Sequence, residues 1–361
     1  MGGTSSERNV SLASGIRIVQ ALRTKGHQVI ALDPGQGVID AAREKELSSG
    51  TVGTAPPSLE SLSKVAEGAF LPNLTSMKEI TGADVVFLGL HGGQGEDGTI
   101  QALLDAAGLA YTGSGVAASA LGMDKALFKR MCRGLGLPVV DWREVHARRW
   151  AADRDGVERE MTAFAAGAAD RRLMVKPSGL GSSVGMTLVH EPVELPAAID
   201  LALRYDTVAV VEAYVPAARD LEVSVIGNDH AHLEIFGPGE IVSGREFYDY
   251  AAKYTPGLSE TSTRAEVDDR QRAIIHKLSR DVYRAIGAEG FARIDFLVSG
   301  DRILVSEINT IPGFTPISLF PTMPSEGGYS FSDVCIRIVE LAMERFEARP
   351  ATRLQPGDLP R

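Results

Sequence analysis

The stretch from Phe291 to Leu319 restricts the fold of this chain more than any other. Two runs rich in β-forming residues, Phe291–Val298 and Ile303–Asn309, flank the polar turn Ser299–Arg302, the pattern of a β-hairpin. Side chains alternate along a strand, so Arg293 and Asp295 share one face, as do Glu307 and Asn309. A tip of three residues then sets Asp295 opposite Glu307. Two carboxylates and an amide oxygen converge, with an arginine one step away. Carboxylates held so close repel each other unless a cation lies between them. An all-oxygen cluster suits Mg2+ (or Mn2+), which is held by one or two carboxylates and substrate phosphates. A solvated polar face would explain any one of these residues. The four together, followed by an irregular Pro-Gly loop, point to a metal.

At 361 residues the chain has room for two or three domains. A net charge of -10 argues against nucleic-acid binding through a broad basic surface, so any polyanion must be gripped by a few placed lysines. Its two cysteines, Cys132 and Cys335, support neither a disulfide framework nor a cysteine-based zinc site. No stretch reaches the length of a membrane span and no signal peptide precedes the first motif. A cytoplasmic protein with no membrane partner is expected.

In chain order, Gly2–Glu7 is a Gly-rich turn with small hydroxyl residues, leading into an amphipathic run from Val10 to Leu22 that Gly26 ends. Val29–Asp33 reads as a strand, and about 34–82 as a long insertion of weak periodicity. The unbroken apolar run Asp84–Leu90 reads as a buried strand delivering His91-Gly-Gly-Gln-Gly-Glu96-Asp97-Gly98 at its carboxyl end. Strand-turn-helix repetition implies a parallel sheet with ligands at the strands' carboxyl ends. Gly93-x-Gly95-x-x-Gly98 mimics a dinucleotide fingerprint, but Glu96 and Asp97 would repel a pyrophosphate and the next strand ends without an acid for a ribose.

Further on, the strand Leu173–Lys176 runs into Pro177-Ser-Gly-Leu-Gly-Ser182-Ser183-Val-Gly185, a loop of unhindered amides after a lysine that can wrap phosphates. It lacks the Gly-Lys-Ser/Thr of a Walker loop. Two acids beside apolar runs, Glu212 and Glu222, could hold a ribose and an amine. Phe247–Tyr254 offers Lys253 among aromatics. Helices are expected from Asp268 to Ile286 and from Phe331 to Phe346, before a disordered tail.

These motifs together resemble the D-alanine–D-alanine ligases of the ATP-grasp superfamily over nearly the whole chain. The matching stretches are GGTSSERNVSL, HGGQGEDGTIQ, YTGSGV, MDK, KPSGLGSSVGM, FYDYAAKY, ARIDF and EINTIPGFT. The resemblance implies an α/β ATP-grasp fold of three domains, at about 1–113, 114–212 and 213–361, the first with a doubly wound parallel sheet. It implies ATP contacts at Lys125, Lys176, Glu212, Val215 and Glu222, with Ser182 and Ser183 over the phosphates. The segment 216–220 is less firmly aligned, which leaves Glu222 less secure than Glu212. Mg2+ ligands fall on Asp295, Glu307 and Asn309. Glu7 would hold the ammonium of the first D-alanine, linked to Ser182 and Tyr254. Arg293 and the Gly313 N–H would stabilise an oxyanion. Lys253 and Ser318 would take the carboxylate of the second D-alanine. A homodimer is the expected assembly.

The competing readings are a relative joining D-alanine to D-serine or D-lactate, and an inactive nucleotide-binding sensor. The FYDYAAKY loop resembles dipeptide-forming members, and a sensor would be expected to lack a metal ligand or Arg293, which are all present. Family members carry a short apolar strand directly before the Gly2-Gly3 pair. Met1 is therefore expected to be an internal residue, with the first strand of the sheet missing.

Overall fold

In a computed structural model of the chain, residues 1–50, 52, 53, 55, 57–67, 71–244, 246, 253, 255 and 257–349 are described. Tyr254, the aromatic stretch 247–252 and the tail from residue 350 lie outside them. The first helix, Arg8–Thr24, is buried around most of its circumference, Val10, Leu12, Ile16, Ile18, Val19 and Leu22 among its buried residues. Ile18 and Leu22 pack against Val334, Ile338 and Leu341 of the last helix, Phe331–Glu347. Gly26, at φ +90°, closes the first helix by donating its N–H to the Arg23 carbonyl.

The first region departs from a regular parallel sheet. It contains a two-residue antiparallel pairing of β1 (Leu32–Asp33) with β2 (Gly37–Val38). The apolar run 84–90 pairs with the next extended segment through one parallel bridge, Val86 to Tyr111. Beyond Val86 the ladder's partners are side chains: Leu88 N–H donates to Thr112 Oγ1 and His91 N–H to Ser11 Oγ. Hydroxyls there satisfy the donors that a neighbouring strand would otherwise take. The segment read as an insertion carries helices at Ala41–Ser49, Leu59–Glu67 and Lys78–Thr81.

A four-stranded antiparallel sheet follows, made of β3 (Trp142–His146), β4 (Leu173–Pro177), β5 (Thr187–Val189) and β6 (Val208–Ala213), in the order β3-β6-β4-β5. Val145, Val175 and Val211 face the helices Arg154–Gly167 and Leu195–Ala202. Its other face carries Lys176 and Glu212 and packs Val210 and Trp142 on Ala126 of the helix Lys125–Gly134.

The third sheet holds β7 (Arg219–Ile226), β8 (Glu234–Ser243), β9 (Ser259–Ser262), β10 (Phe291–Ser299) and β11 (Arg302–Asn309), in the order β11-β10-β7-β8-β9. Strict alternation in β7 and β10 gives it one apolar face. Leu221, Val223, Ile294, Phe296 and Ile308 pack there on Ile275, Leu278 and Val282 of the helix Asp269–Ala285. That helix starts with a capping box between Asp268 and Gln271. Fully burying each large aliphatic or aromatic side chain is worth roughly 1.5–3 kcal/mol.

The hairpin reaches its expected pairing by a different route. Asp295 is opposite Glu307, but Ser299 pairs with Arg302, so the tip is Gly300-Asp301 alone. The extra residue sits in a bulge after Asp295, where Phe296 pairs with Val305 and Ser306 is passed over. Gly300, at φ +58°, supplies the left-handed residue of the short turn.

Candidate active site

The opposite face of the five-stranded sheet is a polar tier. The register places Glu222 beside Asp295, Asp295 beside Glu307, and Arg293 between Ser224 and Asn309, all on one face. Arg293 clamps Asp295, its Nε and Nη2 each donating at 2.7 Å, and its Nε lies 3.3 Å from Glu222 Oε2. Asn309 Nδ2 donates to Asp295 Oδ2 at 3.0 Å. Burial opposes the charge on Arg293, yet Asp295 and Glu222 outweigh it and raise its pKa well above the usual value. Burial pushes Glu222 up to about 8 against the pull of Arg293.

The four-stranded sheet and the helix before it bring the lysines. Lys125 donates to the Leu180 carbonyl at 2.7 Å and lies 3.3 Å from Glu307 Oε2. Burial would raise the pKa of Glu307, but Lys125, Lys176, Lys253 and Arg293 outweigh it and hold it at about 2. Lys176 Nζ is 2.9 Å from Glu212 Oε2, and the fully buried Lys129 is 2.7 Å from Oε1. The two lysines overcome burial and hold Glu212 at about 2. The Lys129 contact is an ion pair whose angles are not those of a hydrogen bond.

Across from the tier stands Glu7, at the start of the first helix, accepting a hydrogen bond from Ser182 Oγ. The loop carrying Ser182 is pinned at its base: Ser178 Oγ donates to Asp124 and Gly179 N–H to Asp206. Ser182 and Ser183 adopt φ +48° and +58°, a conformation that costs a non-glycine residue on the order of 1–3 kcal/mol. Two glycines make room for Glu7, since a Cβ on either Gly92 or Gly181 would lie 2.5 Å from its Oε2. Burial raises the pKa of Glu7, against the Ser182 bond. The Gly92 N–H is held by Glu96, another buried acid, which burial and then Glu7 push up to about 8.

The irregular loop after β11 closes one end. Ser318 Oγ accepts the Thr315 N–H and lies 2.7 Å from where a Cβ on Gly313 would be, so that glycine permits a close approach. Lys253 also reaches the site, its pKa lowered by burial against the pull of Glu307. Glu7, Lys125, Lys176, Glu212, Arg293 and Glu307 line one cavity of about 300 Å³, the lower end of the range for small-molecule sites. Val215, packed with Val140 and Leu304, gives it an apolar wall.

The sequence matches two family descriptions in register with this architecture: "D-ala D-ala ligase N-terminus" over residues 1–114 and "D-ala D-ala ligase C-terminus" over 131–340. The chain belongs to the D-alanine–D-alanine ligase family. A D-alanine--D-alanine ligase of Mycolicibacterium gilvum is 39% identical, with 95% of this chain and 96% of that one covered. Among solved structures, the D-alanine-D-alanine ligase of Coxiella burnetii superposes with a TM-score of 0.71 at 29% identity, covering 96% of this chain and 93% of that one. The VanG D-Ala:D-Ser ligase of Enterococcus faecalis gives 0.74 at 28% identity, over 95% and 97%. This family of ATP-dependent ligases shares its fold with members of different acceptor, so the fold alone does not choose the acceptor.

Of the expected site residues, all but Tyr254, which is outside the described residues, line this one cavity. Asp295, Glu307 and Asn309 fit Mg2+: Asn309 spends its amide N–H on Asp295, leaving its carbonyl oxygen as a third oxygen donor. Among the described residues no three acidic, His or Cys side chains cluster as a metal site. Arg293 and Lys125 are the cations that compensate the two carboxylates in this structure.

Four residues of the cavity region were missed by sequence reasoning. Asp220 lines the cavity two residues before Glu222, on the same face, where burial pushes it up to about 6. Lys129 follows Lys125 at helical spacing, a weak signal that needs the packed sheet to become meaningful. His91 and Glu96 lie in the motif at the end of the apolar run 84–90, and their position at a strand end was the available signal.

Proposed function

We propose that the chain joins two D-alanine molecules through an acyl phosphate made from ATP. The observation that carries this reading is the contact of Ser182, on the phosphate-type loop, with Glu7, on the wall facing the polar tier. It brings an ammonium-binding acid, a glycine- and serine-rich loop and a lysine-flanked carboxylate set into one cavity.

A carboxylate is a poor acyl donor, because expelling oxide is prohibitive. Its oxygen attacks the γ-phosphorus of ATP, the bond to ADP breaks, and an acyl phosphate results. The amine of the second D-alanine then attacks the acyl carbon. The C–O bond to phosphate breaks and the nitrogen loses its proton.

Lys125 and Lys176 meet the phosphates, and Glu212, Val215 and Glu222 meet the nucleoside, with Asp220 equally placed for the ribose. Ser183 and its neighbours offer backbone donors to the γ-phosphoryl group. Glu7 holds the first ammonium. Arg293 and the Gly313 N–H face the oxyanion of acyl transfer, where fixed donors act most strongly in a site closed to water. Lys253 and Ser318 take the second carboxylate. Asp295, Glu307 and Asn309 would hold Mg2+, which supplies charge neutralisation for phosphoryl transfer when bound. The division into three domains at about residues 113 and 212 belongs to the same reading, with the cavity where they meet.

The test is phosphate release from ATP with D-alanine alone, compared with L-alanine, D-lactate, D-serine added to D-alanine, and no acceptor. Release with D-alanine alone, with formation of the dipeptide, is expected. Equal release without acceptor, or a mixed product formed in preference to the dipeptide, refutes the reading.

A further inference from the structure

His91 is held on four sides by hydrogen-bonding groups, three serine hydroxyls and one backbone carbonyl. Its N–H donates to Ser11 Oγ at 2.8 Å and its carbonyl accepts from Ser5 Oγ at 2.6 Å. Its ring Nδ1 lies 2.9 Å from the Ile311 carbonyl and its Nε2 lies 2.9 Å from Ser14 Oγ. Ser14 Oγ in turn accepts the Phe314 N–H at 3.0 Å. Ser14, Ile311 and Phe314 are all buried, and His91 is 4% exposed.

These partners fix the proton positions. A carbonyl can only accept, so Nδ1 must carry a hydrogen. Phe314 N–H can only donate, so Ser14 takes that bond on one lone pair of its oxygen. In a neutral ring whose hydrogen is on Nδ1, Nε2 is an acceptor, and Ser14 turns its own proton to it. The resulting chain runs from Phe314 N–H through Ser14 and His91 to Ile311 C=O, and so straddles Gly313 on both sides.

We propose that His91 is a positioning residue, a neutral imidazole with its proton on Nδ1. Together with Ser14, it locks the Ile311–Phe314 loop to the first helix and thereby aims the Gly313 N–H. The same helix begins at Glu7, so the side that holds the first amino acid and the side that meets the oxyanion are fixed to one rigid element. Burial and the positive charges of the Met1 ammonium and Arg293, offset by the Ile311 bond, lower the imidazole to about 4, which agrees with this geometry. An imidazolium would turn an N–H toward Ser14 and leave the serine proton without its acceptor.

The consequence for rate rests on reading Gly313 as an oxyanion donor; the hydrogen-bond chain does not. Two measurements on the full-length chain separate them. Imidazole ¹⁵N shifts of the labelled protein, with His91 assigned by its loss in His91→Asn, should show a neutral Nδ1–H form from about pH 5 to about pH 8. Titration near the ordinary histidine value, or an Nε2–H form, overturns the proposal, and this reading needs no variant to be active.

The second measurement is a double-mutant cycle of Ser14→Ala with His91→Asn, whose amide can still donate to Ile311. Each variant should lower kcat for the dipeptide by on the order of 10²-fold with KM for ATP unchanged. The double variant should be no worse than the poorer single one, and His91→Ala should be poorer than His91→Asn. Additive losses, or losses confined to KM, overturn the positioning role. If the ¹⁵N shifts come out as expected while kcat stays at the wild-type value, the chain of bonds stands. The reading of Gly313 is then the part that fails.

Discussion

Replacing Lys129 by methionine tests whether the buried charge pair under the cavity is built as described. Lys129 is fully buried, 2.7 Å from Glu212, and Glu212 keeps only Lys176 when it is lost. Methionine keeps the bulk and removes the charge. Taking one partner from a buried pair costs about 3–5 kcal/mol, because the other charge remains. Linkage gives an independent figure. Glu212 is held at about 2, below the usual carboxyl value of about 4.5, a shift worth about 3 kcal/mol at neutral pH that Lys129 shares with Lys176 and that burial of Lys129, which lowers its own pKa, partly offsets. A depressed carboxyl stabilises fully above its unfolded value and loses that contribution as pH falls through the folded one. The gap between wild type and variant should therefore be at most about 3 kcal/mol at pH 7 and shrink as the pH is lowered from about 4.5 towards about 2. Both tryptophans of the chain, Trp142 and Trp150, pack on the four-stranded sheet, and Trp142 lies 5.7 Å from Lys129. Their fluorescence during urea unfolding reports that part of the molecule. Coincident midpoints for the two proteins, or a gap that does not change with pH, would refute the reasoning.

Glu307→Gln should lower dipeptide formation by at least about 10²-fold while melting within a few degrees of wild type, since a phosphoryl-transfer site loses several kcal/mol with a charged ligand; near-normal turnover at saturating Mg2+ would remove Glu307 from the metal set. Glu96→Gln probes a raised carboxyl, whose stability is lost as pH rises from about 4.5 through about 8. Glutamine keeps an acceptor for the Gly92 N–H without titrating, so thermal melts should agree near pH 4.5, diverge as the pH rises, and favour the variant most above about pH 8. A variant melting lower at both would show that the carboxyl is charged and paired.

Local signals carried most of what was legible in the sequence. The helices at Asp269–Ala285 and Phe331–Glu347 were marked by their apolar spacing, and the structure adds caps at Asp268 and Ser330. The hairpin and its polar face followed from alternation. The strand order β11-β10-β7-β8-β9 did not, because pairings between segments far apart leave no local trace. Lys129 escaped notice for the same reason: its partner Glu212 lies 83 residues away in a different element. The parallel sheet expected before residue 113 was read from apolar runs. Such runs show that a segment is buried, not whether backbone or hydroxyl groups answer its amides, and at Leu88 and His91 hydroxyls do. Assigning roles to Glu222 or Asp220 needed three dimensions, since both face the cavity but only Glu222 is also near Arg293.

The bulge at Ser306 makes the site insensitive to where one residue of the hairpin is stored. Opposite positions in the inner half, 295 with 307 and 293 with 309, sum to one more than those in the outer half, 298 with 303 and 299 with 302. Only the number of residues between Asp295 and Glu307 decides that these two meet. A hairpin with a three-residue tip and no bulge would bring them together just as well. Removing one residue without replacing it would instead turn Glu307 and Asn309 towards Ile294 and Phe296, into the core against the helix Asp269–Ala285. Moving a residue between tip and bulge thus keeps the chemistry, whereas a net change of one in that interval exchanges a binding face for a packing face.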